Sequence, residues 1–174
     1  MILMPWYTLV VLAVAAERVA ELLVARRNAA WTRARAGVEH GRGHYPVMVA
    51  LHTSLLACCL LEPVLAARPF LPALGWPMLG LAVSAQALRW WCITTLGPYW
   101  NTRVIVVPGA RLVGAGPYRL LRHPNYVAVV VEIAALPLVH SAWLTATVFT
   151  VANAMLLVVR VRCENTALTQ AEPA

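Results

Sequence analysis

Lysine and aspartate are absent from this chain of 174 residues, and only 12% of its positions are charged. All 14 basic residues are arginine and all 7 acids are glutamate, so every charge sits on a long side chain that can reach an interface while its stem stays in apolar surroundings. So little charge, with 61% hydrophobic residues and a mean hydropathy of +0.70, excludes an ordinary soluble domain. The net charge of +7 is accordingly read against a membrane, and no nucleic-acid partner is expected. Cysteine is scarce as well. Cys58, Cys59, Cys92 and Cys163 are adjacent or isolated, which matches no zinc or redox spacing, so the expectation is no metal and no structural disulfide.

What the chain has in abundance is apolar length, in stretches near 2–24, 46–66, 74–96, 125–139 and 141–159. A spanning helix needs about 20 apolar residues. The first three stretches and the last reach that length, while the fourth is short enough to tilt or to lie partly in the interface. Pro137 and the turn at 138–141 would join the last two stretches as a hairpin. The expected fold is all-α: one polytopic membrane domain over 1–174, with about five transmembrane helices, a C-terminal helical hairpin and a cytosolic pocket. No basic residue precedes Ala13-Val14-Ala15-Ala16, so the first stretch reads as an uncleaved anchor.

Arginines give the orientation. Arg26, Arg27, Arg33, Arg35 and Arg42 fall in the first loop, Arg103, Arg111, Arg119 and Arg122 in the third, and Arg160 and Arg162 at the end of the last helix, with only Arg68 on the other side. The positive-inside rule then predicts an inner-membrane protein with its N-terminus outside and its basic loops and C-terminus cytosolic. Inside the first helix, Arg18 can pair with Glu21 three residues on, a structural role for charges near lipid. Glu132, two turns into the fourth helix, has no evident partner in sequence and must be protonated, paired or turned toward a pocket.

Between Arg89 and Tyr126 the chain concentrates glycine, proline and polar residues. Residues 104–107, bounded by Arg103 and Pro108-Gly109, suggest a brief extended segment and a turn. Pro124 suits the first turn of a helix, whose free N–H groups, with Arg119 and Arg122 beside them, favour a carboxylate or phosphate. His123 and Tyr126, three residues apart, share a face. At the far end of the chain, Arg160 and Glu164 share a face if the last helix continues, and a hairpin would return them to the start of the fourth helix. Taken one at a time these clusters read as interfacial anchors or exposed ion pairs, and taken together as one cytosolic pocket.

The run Arg122-His123-Pro124-Asn125-Tyr126 opening a hairpin, followed in order by Arg160, Glu164 and Leu168, resembles the isoprenylcysteine carboxyl methyltransferase family of integral membrane enzymes over residues 86–168. The stretch 88–109, with Trp90, Trp91, Trp100 and Asn101, and the earlier Glu39 to Pro46 with His52, resemble a bacterial branch associated with type III polyketide synthases that methylates long-chain alkylpyrones or related phenolic lipids. The resemblance implies S-adenosylmethionine as cofactor, with His123 and Tyr126 lining its site, Tyr118, Arg122 and Pro124 shaping it, and Arg160 and Glu164 in the catalytic region. A second glutamate often follows in the family; here it is Asn165, which puts in doubt any role needing two carboxylates.

The acceptor implied is a lipophilic small molecule met among membrane lipids, either a carboxylate or enol that ionises readily or a phenol that needs a base. For the phenol, Glu39 and His44 are candidates. Trp90, Trp91 and Trp100 suit either an interfacial belt or the wall of an acceptor passage, with Asn101 beside it. Three alternatives stay open: a phospholipid N-methyltransferase, a sterol-type reductase using a nicotinamide cofactor, which shares an Arg-His-Pro-Asn-Tyr run, and a small membrane protein without enzymatic activity.

Overall fold

A computed structural model of the protein describes residues 5–110 and 112–171. Arg111 of the third loop and residues 2–4 of the first apolar stretch lie outside the described residues. Five helices carry the fold: α1 Pro5–Arg33, α2 His44–Leu65, α3 Pro72–Leu96, α4 Pro124–Leu138 and α5 Trp143–Ala171. The class is all-α, with one small addition. A short antiparallel pair, β1 Val38–His40 and β2 Val104–Val106, joins the first loop to the third with Glu39 opposite Ile105. The extended segment expected at 104–107 is thus the partner of a strand whose sequence gave no period-2 signal of its own.

Helices α1 and α5 run well past their apolar stretches, because nothing in residues 25–33 or 160–171 breaks a helix: neither contains glycine or proline. Each of α1, α2 and α4 stops with one residue in the left-handed region, at Ala36, Ala67 and Ser141. The next N–H then turns back to the carbonyl five residues earlier: Gly37 to Thr32 at 2.9 Å, Arg68 to Pro63 at 3.0 Å and Ala142 to Pro137 at 3.0 Å. This satisfies carbonyls that the helix end would otherwise leave bare. The last of these turns makes the α4–α5 hairpin. Glu62 of α2 secures the turn, accepting the Leu144 and Thr145 N–H groups at 3.1 and 2.7 Å and pairing with Arg68 at 3.2 Å.

Tyr7, Val11 and Val14 of α1, Leu55 and Cys59 of α2, and Val129, Ile133 and Leu136 of α4 form the apolar core. The Tyr7 hydroxyl donates to the Leu136 carbonyl at 3.1 Å, so even the polar tip of this buried ring is satisfied. Large apolar side chains remain exposed on the outer faces of the helices, among them Leu9, Leu12, Leu23, Leu61, Val83, Val151 and Met155. Two helices, α2 and α5, are long and apolar enough to cross a membrane, and α4 is a shorter apolar helix.

One cluster of charge is buried inside the bundle. Arg18 reaches Glu21 at 2.5 Å and Glu132 at 2.7 Å, and its guanidinium also donates to the Gln86 side-chain oxygen at 2.9 Å. Arg89 of α3 binds Glu132 from the other side and stands 3.4 Å from Glu21. The i,i+3 pair read from sequence is therefore half of a quartet. Glu132 has its partners, and they come from α1 and α3.

Candidate functional site

Pro124 is the first residue of α4 and is buried, with His123 just before it in a non-helical conformation. The His123 carbonyl accepts the N–H groups of Tyr126 and Val127, which starts the helix and sets the His123 and Tyr126 rings stacked with centroids 5.5 Å apart. Because α5 continues through residue 171, Glu164 faces this pair: its carboxylate accepts the Tyr126 hydroxyl and lies 3.4 Å from His123 Nδ1. Asn165 holds the other ring nitrogen, Nε2, at 3.2 Å. The hydrogen bond to Glu164 holds His123 above the ordinary histidine range, against the opposing pull of burial.

Arg160 lies one helical turn before Glu164. It is buried, its centre sits 5.8 Å from the Tyr126 ring, and its Nη2 donates to the Thr102 carbonyl at 3.0 Å. Its Nη1 is buried without a hydrogen-bond partner among the described residues, as are Asn125 Oδ1 and Trp100 Nε1. These groups line one cleft, which encloses roughly 840 Å³ of non-protein space, part of it open to solvent. From Arg160 the cleft follows α5 to Asn153, seven residues and so about 10 Å into the bundle. Leu56, Val129, Leu156 and Leu157 form its apolar wall, while Arg18, Glu21, Arg89 and His52 add polar groups.

The other residues singled out in the sequence fall at varied distances from this cleft. Trp100 is buried and lines it, fixed by Asn28, whose amide donates to the Trp100 carbonyl at 2.8 Å. Trp90 and Trp91 stay on the exposed face of α3, and Trp90 donates to Glu17. Tyr118 packs on α3 with its hydroxyl against Cys92, close enough to feel Glu164 and Tyr126, and burial raises its phenol above the usual range. Gly116 permits that approach: its φ is +52°, and a Cβ there would stand 2.7 Å from Thr95 Oγ1. Arg119 and Arg122 are exposed and do not line the cleft.

Glu39 is not in the cleft either. Arg103 and Arg33 bind it at 2.6 and 2.9 Å, and although burial opposes them, these pairs hold its carboxyl below the usual range, a poor setting for a proton acceptor. His44 starts α2 beside Gly41 and Cys163, outside the cleft lining. Asn101 accepts the Arg103 N–H through Oδ1 at 3.3 Å and lines a second, cationic pocket with Arg26, Arg33 and Arg103. Asn153 and Thr102 line the cleft without having been singled out, and Asn125, named only as part of its run, lines it too. For Asn153 the signal was available, since a lone asparagine in an apolar helix needs a partner or a cavity.

Taken together, the fold and the cleft define a helical protein with two helices long and apolar enough to cross a membrane and a polar site where two sequence runs meet. The chain belongs to the isoprenylcysteine carboxyl methyltransferase (ICMT) family, whose model matches residues 78–170. That family is membrane-integral, and the matched span contains α4 and all but the last residue of α5, with His123, Tyr126, Arg160 and Glu164. The chain is also 38% identical over 168 residues to the "Uncharacterized protein YpbQ" of Bacillus subtilis (strain 168), covering 95% of this chain and 96% of that one. No solved structure matches the chain.

Proposed function

We propose that this protein is an S-adenosylmethionine-dependent O-methyltransferase that works at the membrane interface on a lipophilic acceptor. The observation that carries the reading is the meeting of two runs, about 40 residues apart in sequence, on one polar site that opens into an apolar cleft. The residues present fit the cofactor. A buried guanidinium nitrogen without a partner, Arg160 Nη1, suits its carboxylate, and the unpartnered Asn125 Oδ1 suits its ammonium.

When bound, S-adenosylmethionine supplies a methyl group on a positively charged sulfur, open to in-line displacement. The protein's own work is positioning and exclusion of water. Glu164 fixes the His123 and Tyr126 rings, and the Thr102 carbonyl fixes Arg160. Leu56, Val129, Leu156 and Leu157 offer the acceptor chain a surface it prefers to water. Exposed apolar side chains on the helices support five crossings, and the arginines of the first and third loops support an outside N-terminus and a cytosolic cleft mouth.

Saturable binding of S-adenosylmethionine by purified protein in lipid nanodiscs is the first test. Tyr126→Phe removes a hydrogen bond to a carboxylate and is expected to weaken that binding by about tenfold or more. Binding of reduced nicotinamide dinucleotide phosphate in its place would move the assignment to a reductase.

A further inference from the structure

His52 of α2 lines the same cleft as Arg160 and Asn125, and its Nδ1 lies 2.8 Å from the Met48 carbonyl oxygen. A carbonyl can only accept, so Nδ1 carries the proton and Nε2 of the neutral ring keeps a bare lone pair. Among the described residues Nε2 has no hydrogen-bond partner, and it is not sealed off as both ring nitrogens of His140 are. A proton acceptor thus stands in the cleft, with Arg89, Arg18 and Glu132 facing it from α3, α1 and α4.

The charges around it limit what the acceptor head can be. Arg18 and Arg89 are both engaged with Glu21 and Glu132, so the two positive and two negative charges cancel. A carboxylate brought to this inner end would lose hydration and find no surplus positive charge. The cleft-lining arginine that makes no ion pair among the described residues is Arg160, which the reading above gives to the cofactor. What the cluster does offer is a polar lining: the Arg18, Glu21 and Arg89 side chains all border the cleft. Donors and an acceptor without net charge fit a neutral head that carries hydroxyl groups.

We infer that His52 Nε2 is the proton acceptor for the hydroxyl to be methylated when the acceptor is a phenol of the kind the resemblance implies, with the Arg18, Glu21 and Arg89 cluster bordering the seat of its neutral head. The inference rests on the methyltransferase reading and names the residue that takes the acceptor's proton. A phenol with a pKa near 10 is about one-thousandth ionised at neutral pH, so it gains from a base where a carboxylate does not. The phenol O–H bond breaks, its proton bonds to the Nε2 lone pair, and the electrons of that bond stay on oxygen as the phenolate nucleophile. The imidazolium afterwards returns the proton to water.

The test uses full-length protein in nanodiscs with a long-chain alkylphenol, an alkyl-nitrophenol of equal chain length and an alkylbenzoate. Without cofactor, the absorbance of the bound nitrophenol is titrated with pH. Wild-type protein is expected to show phenolate at a pH about one unit or more below His52→Gln, and below the probe in empty nanodiscs. With cofactor, His52→Gln is expected to lose about 10²- to 10⁴-fold in kcat on the alkylphenol. Its loss on the nitrophenol, assayed above that probe's pKa, is expected to stay under about tenfold, with cofactor affinity unchanged. Identical nitrophenol titrations, equal losses on both acceptors, or tighter binding of the alkylbenzoate overturn the inference. Should His52→Gln not fold, the wild-type titration against empty nanodiscs decides, and no shift overturns it. Absence of cofactor binding in wild-type protein would end the methyltransferase reading, while the cofactor-free titration would still judge His52.

Discussion

His123 meets an acceptor at each ring nitrogen, Asn165 Oδ1 at 3.2 Å and Glu164 Oε1 at 3.4 Å, so the doubly protonated ring is the form that satisfies both. Its pKa is raised by the Glu164 hydrogen bond. A raised folded pKa adds stability that is fully present below the unfolded value, about 6.5, and is lost as pH climbs through the higher folded value. The melting temperature of wild-type protein minus that of His123→Gln should therefore be largest near about pH 6 and shrink toward about pH 8.5. A difference that holds constant or grows would rule out the imidazolium–carboxylate pair. Asn165, where a second glutamate was looked for, leaves His123 one carboxylate partner and one neutral one. At this scale the sequence was legible where spacing is local, as for His123 with Tyr126 and Arg160 with Glu164. His52 was not, since only the surrounding helices show that it faces a cleft and not lipid.

Helices α1, α3 and α4 are tied together by the Arg18–Glu21–Arg89–Glu132 quartet. Removing one member strands a buried charge, so Arg18→Met is expected to cost about 3–5 kcal/mol of stability, read from thermal unfolding in a mild detergent. The double change Arg18→Met with Glu132→Leu leaves Arg89 facing Glu21 and should recover most of that loss. If the two losses simply add, Arg18 and Glu132 are not coupled. Sequence spacing supplied Arg18 with Glu21 and missed Glu132, whose partners lie 114 and 43 residues away. Helix extents were likewise read short for α1 and α5. An apolar window stops where the composition changes, whereas a helix stops where a residue can take the left-handed turn, as Ala36 does.

For the whole molecule the proposed orientation has a direct measurement. In a variant lacking Cys58, Cys59, Cys92 and Cys163, a cysteine placed by Arg68→Cys should react with a membrane-impermeant maleimide in intact cells. One placed by Arg119→Cys, on an exposed turn, should react only once the membrane is opened. The reverse pattern would invert the protein, and labelling of both in intact cells would put the two turns on the same outer face.

Composition alone pointed to a membrane-integral family, because so few charges and so much apolar length are unlike an ordinary soluble domain. The α4–α5 hairpin and the polar character of the two runs were also present in the sequence, since turns, helix starts and i,i+4 faces are set by near neighbours. Tertiary structure decided that Glu164 meets His123 and Tyr126, that Glu39 is locked among arginines, and that the buried charges cancel. Those outcomes depend on which helices pack together, and a buried polar group takes whichever partner the packing brings, at whatever distance along the chain.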